Sequence, residues 1–197
     1  MSETATMAPD QREALGPGRL VLVVGPSGAG KDTLLGLARG ACAEDPDVVF
    51  PRRIVTRESS AAEDNVALGA EEFRQALAHG DFAVHWEAHG HSYALPREID
   101  DDIRAGRTVV ANVSRTVLEA LRKAYADVVV VAITAPPEVL AARLAARARR
   151  SDGDIGERLN RAVNDDANAD VTIVNTGNAD YHSRQLVRII RNECWRE

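Results

Sequence analysis

A glycine-rich segment with the composition of a phosphate-binding loop lies near the amino end of the sequence. Its glycine spacing and terminal lysine match most of the P-loop pattern, and the segment reads Gly25, Pro26, Ser27, Gly28, Ala29, Gly30, Lys31. Glycines let successive peptide N–H groups turn toward phosphate oxygens, and the lysine adds a positive charge for the β- and γ-phosphates. We therefore predict that this loop binds a nucleotide and that Lys31 is catalytic. A glycine-rich turn without a ligand is the alternative.

The two residues after Lys31 are candidate magnesium ligands. The P-loop pattern continues with Ser or Thr, whose hydroxyl ligates Mg²⁺, but this sequence has Asp32 followed by Thr33. A carboxylate can hold Mg²⁺ directly or through a water, whereas ligation by Thr33 needs a shift of one residue. Alternatively, Asp32 only stabilises the helix N-terminus. Asn112 favours the metal role, because P-loop enzymes often have an acid at that strand end and Asp32 could supply the missing charge.

The segments around these residues alternate between buried strands and helices. Short apolar runs predict parallel strands over 19–24, 108–111, 128–133 and 171–174. Helical patterns follow each of them: one after Lys31, one capped by Ser114, one opened by Pro136 and Pro137, and one over 181–194. Strands that alternate with helices form βαβ units. The predicted fold is therefore α/β, with a central parallel sheet flanked by helices.

Two segments interrupt this alternation. Residues 52–95 combine a helical stretch over 70–79 with shorter extended pieces, and residues 147–157 are polar and rich in arginine. A nucleotide-binding core with an acceptor-binding insertion and a lid is the layout of a small phosphotransferase. We therefore expect one P-loop kinase domain over 19–197, with 52–95 as the acceptor-binding insertion and 147–157 as the lid. Residues 1–18 are expected to form a flexible leader.

The composition argues against several classes of function. The 197 residues carry a formal net charge of −6, which disfavours nucleic acid as a partner. No apolar run approaches the length of a membrane helix, and residues 1–18 lack the basic and apolar regions of a signal peptide. Cys42 and Cys194 have no ligand-like spacing and fit a reducing compartment. We expect a cytoplasmic protein that binds neither nucleic acid nor membranes, and its oligomeric state stays open.

Further motifs along the chain resemble those of a known superfamily. Together with the glycine–lysine loop they are Thr56-Arg57, Glu63 to Leu68, Trp86 to Gly90 with Tyr93, Asn112 to Arg115, Arg143 with Arg147, and Arg158 with Arg161. This set resembles the guanylate kinase superfamily and, more closely, its ribose 1,5-bisphosphate phosphokinase family. The sequence departs from that family's pattern in two ways: Ala94 stands where a glycine is usual, and Glu63-Asp64-Asn65 replaces Glu-Asn-His.

The resemblance implies a function and a set of site residues. It implies that ATP, with Mg²⁺, phosphorylates ribose 1,5-bisphosphate at its 1-phosphate, which gives 5-phosphoribosyl 1-diphosphate and ADP. The partner is then a small phosphorylated sugar. Arg147 and Arg158 join Lys31 as the catalytic residues that the resemblance implies. The implied substrate-binding residues are Arg57, Glu63, Trp86, Tyr93, Ser114 and Arg115.

Alternatives remain for the whole chain and for individual residues. Guanylate kinase is the second hypothesis, although Ser60 stands where that family has a second arginine and residues 64–68, just after Glu63, contain no tyrosine. A non-catalytic guanylate-kinase-like domain is the third, although such domains generally lack the glycine–lysine loop. All but two of the 24 basic residues are arginines, so Arg143 and Arg147 could simply form the solvated face of a helix. Trp86 could be a core residue.

Overall fold

The computed structural model describes residues 13–56, 65–88, 90–148 and 168–193. In these ranges, strands β1–β9 are Leu15–Val24, Val48–Val49, Arg53–Val55, Asn65–Ala67, Phe82–Ala88, His91–Pro96, Thr108–Asn112, Tyr125–Thr134 and Val171–Val174. Helices α1–α6 are Lys31–Ala41, Ala70–His79, Ile99–Arg104, Leu118–Ala124, Pro137–Ala148 and Ala179–Ile190, and a 3₁₀ turn, Arg115–Val117, precedes α4. No helix in the described ranges is long and apolar enough to cross a membrane.

A five-stranded parallel sheet forms the centre of the molecule, in the order β2-β7-β1-β8-β9. Strand β1 lies in the middle and is buried on both faces. Leu20 and Leu22 pack on one side with α3, α4 and the second sheet, while Val21 and Val23 pack on the other with α1, α5 and α6. The continuous apolar run of β1 follows from this burial, because neither face of the strand meets water. The expected α/β fold is confirmed.

A second sheet is built from the segment that interrupts the alternation. Its order is β4-β3-β6-β5, with β3 and β4 parallel and the other pairs antiparallel. The helix predicted over 70–79 is confirmed as α2. Its buried Phe73 packs against Phe82 of β5, with ring centroids 4.8 Å apart, which fixes the helix on this sheet.

Several boundaries differ from the sequence predictions, and the differences are largest for β1 and for the last helix. Strand β1 begins at Leu15 rather than Arg19, because Leu15 pairs with Tyr125 at the start of β8, so the end of the expected leader belongs to the sheet. The last helix runs over Ala179–Ile190 rather than 181–194, since the Asn178 side chain caps it by accepting a hydrogen bond from the Tyr181 N–H. Residues 1–12 and most of the expected lid, residues 149–157, lie outside the described residues.

A buried polar pair lies at the amino edge of the five-stranded sheet, where its strands begin. Tyr125 opens β8, and its hydroxyl donates a 2.6 Å hydrogen bond to the Asp100 carboxylate at the start of α3. The Arg97 guanidinium also contacts that carboxylate, at 3.4 Å. Burial and the bond to Asp100 raise the pKa of Tyr125 well above its usual range. This pair ties α3 to the sheet with its polar atoms satisfied.

Candidate active site

The glycine-rich segment joins β1 to α1 at the carboxyl edge of the five-stranded sheet. Its first glycine, Gly25, has φ 145°, and a Cβ there would lie 2.0 Å from the Ile133 carbonyl oxygen of neighbouring β8. Its last glycine, Gly30, has φ 91° and precedes α1 without offering a side-chain cap. The first N–H groups of a helix have no partner within the helix. The loop therefore presents an uncapped helix N-terminus, the backbone arrangement that binds phosphate.

Lys31 occupies the first turn of α1 and folds back over the loop. Its Nζ donates hydrogen bonds to the carbonyl oxygens of Gly25, at 2.7 Å, and Pro26, at 2.9 Å. The ammonium group therefore lies at the mouth of the loop, where a nucleotide's terminal phosphates would compete for it with these neutral acceptors. A charged phosphate is the stronger acceptor.

Asp32 and Asn112 meet at this edge of the sheet. Strand β7, which ends at Asn112, lies beside β1, and the Asn112 Nδ2 donates to the Asp32 Oδ1 at 3.2 Å. Thr33 is exposed on the next position of α1. Carboxylate, amide and hydroxyl oxygens suit Mg²⁺, which needs few protein ligands when phosphates and water complete its shell. The residues present therefore fit a magnesium ion, although the described part of the chain has no cluster of three or more His, Cys, Asp or Glu side chains that could hold a metal alone.

Two polar residues that the sequence analysis did not assign to the site support the loop from behind. The Asn175 Nδ2 donates to the Ala29 carbonyl oxygen at 2.9 Å. The Arg143 guanidinium donates to the carbonyl oxygens of Gly28, Ala29 and Asn175, at 3.3–3.4 Å. Arg143 is therefore not on a solvated helix face. Asn175 directly follows the end of strand β9, so the strand-end position that drew attention to Asn112 could also have found it.

Ser114 and Arg115 follow the end of β7 at the same edge. The Ser114 Oγ accepts hydrogen bonds from the Thr116 N–H and hydroxyl, at 3.3 and 2.9 Å, so the predicted cap is confirmed. Arg115 is half-buried in the turn that Ser114 caps. The loop and the Asn112–Arg115 segment are thus brought to one edge, because β1 and β7 are neighbours.

Trp86 and Tyr93 lie together on the second sheet. They are paired on β5 and β6, and their rings stack with centroids 5.7 Å apart. Both are buried, at 7% and 8% exposed, in the core cluster shared with β1. The alternative that Trp86 is a core residue is therefore confirmed. Contact of either residue with an acceptor stays a prediction.

The chain leaves the second sheet at Thr56, immediately before Arg57. The Thr56 N–H donates to the Ser92 carbonyl oxygen at 3.0 Å, and its Oγ1 accepts from the Ser92 N–H at 2.8 Å. This two-way contact fixes the end of β3 beside Tyr93. Arg57, Glu63 and Arg158 lie outside the described residues, as does the side chain of Arg147.

Comparisons with known proteins identify close relatives of the whole chain. It is 76% identical to "Ribose 1,5-bisphosphate phosphokinase PhnN" of Bradyrhizobium diazoefficiens, over 100% of both chains. It is 62% identical to a protein of the same name from Rhodopseudomonas palustris, over 94% of this chain and 95% of that one. No family model matches the chain.

Among solved structures, guanylate kinase from Anaplasma phagocytophilum has a similar fold. It matches 93% of this chain and 88% of its own with a TM-score of 0.67 and 20% sequence identity. At this level of sequence identity, the similarity shows a shared fold, that is, the same arrangement of the sheet and its helices.

Proposed function

Since the chain belongs to the ribose 1,5-bisphosphate phosphokinase family and is a kinase, we propose that it transfers the γ-phosphoryl group of ATP to the 1-phosphate of ribose 1,5-bisphosphate. The observation that carries this proposal is the glycine-rich loop at the carboxyl edge of the sheet. Its uncapped helix N-terminus and the Lys31 ammonium are two sources of positive charge directed at one place. Such a site attracts a polyphosphate and stabilises the charge that develops on it during transfer.

The reaction needs no general base. A sugar phosphate has a second pKa of about 6 and is mostly dianionic at neutral pH, so its oxygen is already a nucleophile. That oxygen attacks the γ-phosphorus of ATP, and the bond from this phosphorus to the β–γ bridging oxygen breaks. The bridging oxygen leaves with ADP, and the sugar keeps a diphosphate at carbon 1. Positioning and charge neutralisation therefore carry the catalysis.

Asp32 is the residue that we assign to magnesium, with Thr33 as the weaker candidate. The Asp32 carboxylate supplies the negative charge that Asn112 lacks, and the Asn112 amide orients it through their 3.2 Å hydrogen bond. Bound Mg²⁺ would neutralise charge on the β- and γ-phosphates of ATP. Lys31 then neutralises the remaining charge on the transferring group.

The acceptor is held by residues of the second sheet and of the neighbouring strand end. Arg57 follows Thr56, whose contacts with Ser92 fix the end of β3, and its guanidinium is the first choice for a forked contact with an acceptor phosphate. Arg115 lies past the end of β7, at the same edge of the sheet as the glycine-rich loop. The family resemblance further assigns substrate or transition-state contacts to Glu63, Trp86, Tyr93, Ser114, Arg147 and Arg158.

A panel of acceptors with Mg·ATP tests the proposal. The panel contains ribose 1,5-bisphosphate, ribose 5-phosphate, GMP, AMP and gluconate, with ADP release as the rate and ³¹P NMR of the product as its identification. We expect turnover with ribose 1,5-bisphosphate and the coupled phosphorus signals of a diphosphate, since transfer to a hydroxyl would give only a monoester. The Lys31→Ala variant, purified in the same way, controls for contaminating kinases.

Two results would contradict the proposal. Faster turnover of GMP than of ribose 1,5-bisphosphate would make the protein a guanylate kinase. Retained ATP binding without ADP release on any acceptor would indicate a non-catalytic binding domain.

A further inference from the structure

The carbonyl oxygen of Ala29 accepts hydrogen bonds from two side chains at the back of the glycine-rich loop. It accepts from the Asn175 Nδ2 at 2.9 Å and from the Arg143 Nη1 at 3.4 Å. In a planar trans peptide the C=O of one residue and the N–H of the next point in opposite directions. A donor that holds the Ala29 carbonyl group therefore also sets the direction of the Gly30 N–H.

The Ala29–Gly30 peptide needs a restraint from another part of the chain, because Gly30 does not fix its orientation. Gly30 has φ 91°, and glycine adopts positive and negative φ about equally well, so the Ala29–Gly30 peptide can rotate at little cost. The Asn175 carboxamide lies against it so closely that a Cβ on Gly30 would be 2.4 Å from Nδ2. The Asn175 amide can therefore reach the Ala29 oxygen only because Gly30 has no side chain in its way.

Asn175 is itself held firmly in the core. The residue is 4% exposed, its N–H donates to the Thr134 carbonyl oxygen at 2.7 Å, and its carbonyl oxygen accepts from Arg143 at 3.3 Å. Its Oδ1 is buried and has no hydrogen-bond partner among the described residues. A buried acceptor without a partner destabilises a fold. A purely apolar side chain would avoid that cost, so the feature that distinguishes asparagine here is the donor it directs at Ala29.

We propose that Asn175 is a positioning residue for the nucleotide: by donating to the Ala29 carbonyl group it holds the Gly30 N–H toward the phosphates of ATP. Arg143 shares this acceptor and supports the Asn175 backbone. The inference rests on the proposed use of ATP, but it does not depend on which acceptor the enzyme phosphorylates.

Direct titration of Mg·ATP without acceptor tests this role in two variants. Asn175→Leu has a similar size and no polar atoms, so it removes both the donor and the unpaired oxygen. Asn175→Asp keeps the shape but places a second acceptor against the Ala29 oxygen. We expect the Kd for Mg·ATP to rise about tenfold in Asn175→Leu and further in Asn175→Asp. The Tm of Asn175→Leu should stay at or above that of the wild type.

Steady-state kinetics separate positioning from a general loss of structure. In Asn175→Leu we expect KM for ATP to rise with Kd while KM for ribose 1,5-bisphosphate changes less than about twofold. The matched control is Asn178→Ala, which removes the cap of α6 from the same segment. It should lower Tm and leave the Kd for Mg·ATP unchanged.

The outcomes distinguish this inference from the proposed function. Wild-type Mg·ATP affinity in both Asn175 variants would overturn the inference, and so would a parallel loss of ATP and acceptor affinity in step with Tm. Failure of the wild type to phosphorylate ribose 1,5-bisphosphate would overturn the proposed function instead, because the titration contains no acceptor.

Discussion

The two edges of the five-stranded sheet carry polar groups that are used in opposite ways. At the amino edge, Tyr125 and Asp100 form a short buried bond, and both groups are satisfied within the fold. At the carboxyl edge, the Lys31 ammonium donates to the neutral carbonyl oxygens of Gly25 and Pro26, Asp32 is exposed, and α1 begins without a side-chain cap.

The difference follows from chain direction. In a parallel sheet every strand ends at the same edge. The loops that follow the strands therefore lie together at that edge, where their residues can bind a ligand without disturbing the sheet. The amino edge closes the core, and its polar groups need internal partners because burial makes an unpaired group costly. We therefore expect substitutions at the carboxyl edge to change turnover and those at the amino edge to change stability.

The largest effect on turnover is expected from Lys31→Ala. This change removes the ammonium group that neutralises the transferring phosphate, so kcat should fall by at least about 10²–10³-fold with little change in Tm. Lys123→Ala is the matched control, because Lys123 is the other lysine of the chain and forms an exposed ion pair with Glu119 on α4. A wild-type kcat in Lys31→Ala would contradict the expectation that substitutions at the carboxyl edge change turnover.

Arg57→Ala tests whether the acceptor, like the nucleotide, is bound by residues outside the core of the sheet. Loss of a forked phosphate contact should raise KM for ribose 1,5-bisphosphate about 10–100-fold and leave KM for ATP nearly unchanged. Arg74→Ala, in the same insertion, removes an exposed ion pair with Glu71 and should change neither constant. Equal effects of Arg57→Ala on both KM values would place this residue outside the acceptor site.

Asp32→Asn tests the magnesium assignment. It keeps the size of the side chain but removes the charge, so the half-saturating Mg²⁺ concentration should rise by about tenfold and high Mg²⁺ should restore part of the activity. If Asp32 only favours the helix N-terminus, the change should cost about 0.3–1 kcal/mol of stability and leave the metal dependence alone. Asp180→Asn, which removes a first-turn acid of α6, controls for the helix effect.

Asp32→Ser sharpens this test, because it restores the hydroxyl that is usual in the P-loop pattern. We expect a partly active enzyme with an altered preference between Mg²⁺ and Mn²⁺. Adding Asn112→Asp to it should recover further activity by returning the charge to the strand end. Superimposable metal-activation curves for the wild type and the Asp32 variants would show that Asp32 takes no part in holding the metal.

Tyr125→Phe should have the smallest effect on turnover. Removing the hydroxyl leaves the buried Asp100 carboxylate with one fewer partner, which should lower the free energy of unfolding by about 1.5–3 kcal/mol while kcat and both KM values stay unchanged. Urea denaturation measures the first quantity. Loss of activity in a fully folded variant would contradict the structural role of this edge.

The raised pKa of Tyr125 also predicts how stability depends on pH. The unfolded tyrosine ionises near pH 10 while the folded one keeps its proton. The stabilisation from this group is therefore complete below pH 10 and declines as the pH rises further, by about 1.4 kcal/mol per unit at most. The difference in unfolding free energy between wild type and Tyr125→Phe should shrink above pH 10, whereas a constant difference would argue against the shifted pKa.

Local patterns in the sequence were sufficient to predict the β1–loop–α1 unit. The apolar run before Gly25, the glycine spacing and Lys31 are all encoded within a few residues, and the structure has them as expected. The helix over Ala70–His79 was predicted to the residue, since its pattern ends at the helix-terminating Gly80. Residues that contact distant parts of the chain were harder: Arg143 is indistinguishable from a solvated arginine until α5 is placed against the loop.

Local patterns were enough to predict the fold class and the phosphate-binding loop, because apolar runs, helical periodicity and glycine spacing are all properties of residues close together in the sequence. Only the folded chain shows that Asp32 meets Asn112, 80 residues away in the sequence. It also shows that Asn175 supports Ala29 and that Trp86 stacks on Tyr93 inside the core. These contacts require the order β7-β1-β8-β9 and the packing of the second sheet on it. The order of strands is set by the free energy of the whole core, which no local pattern contains.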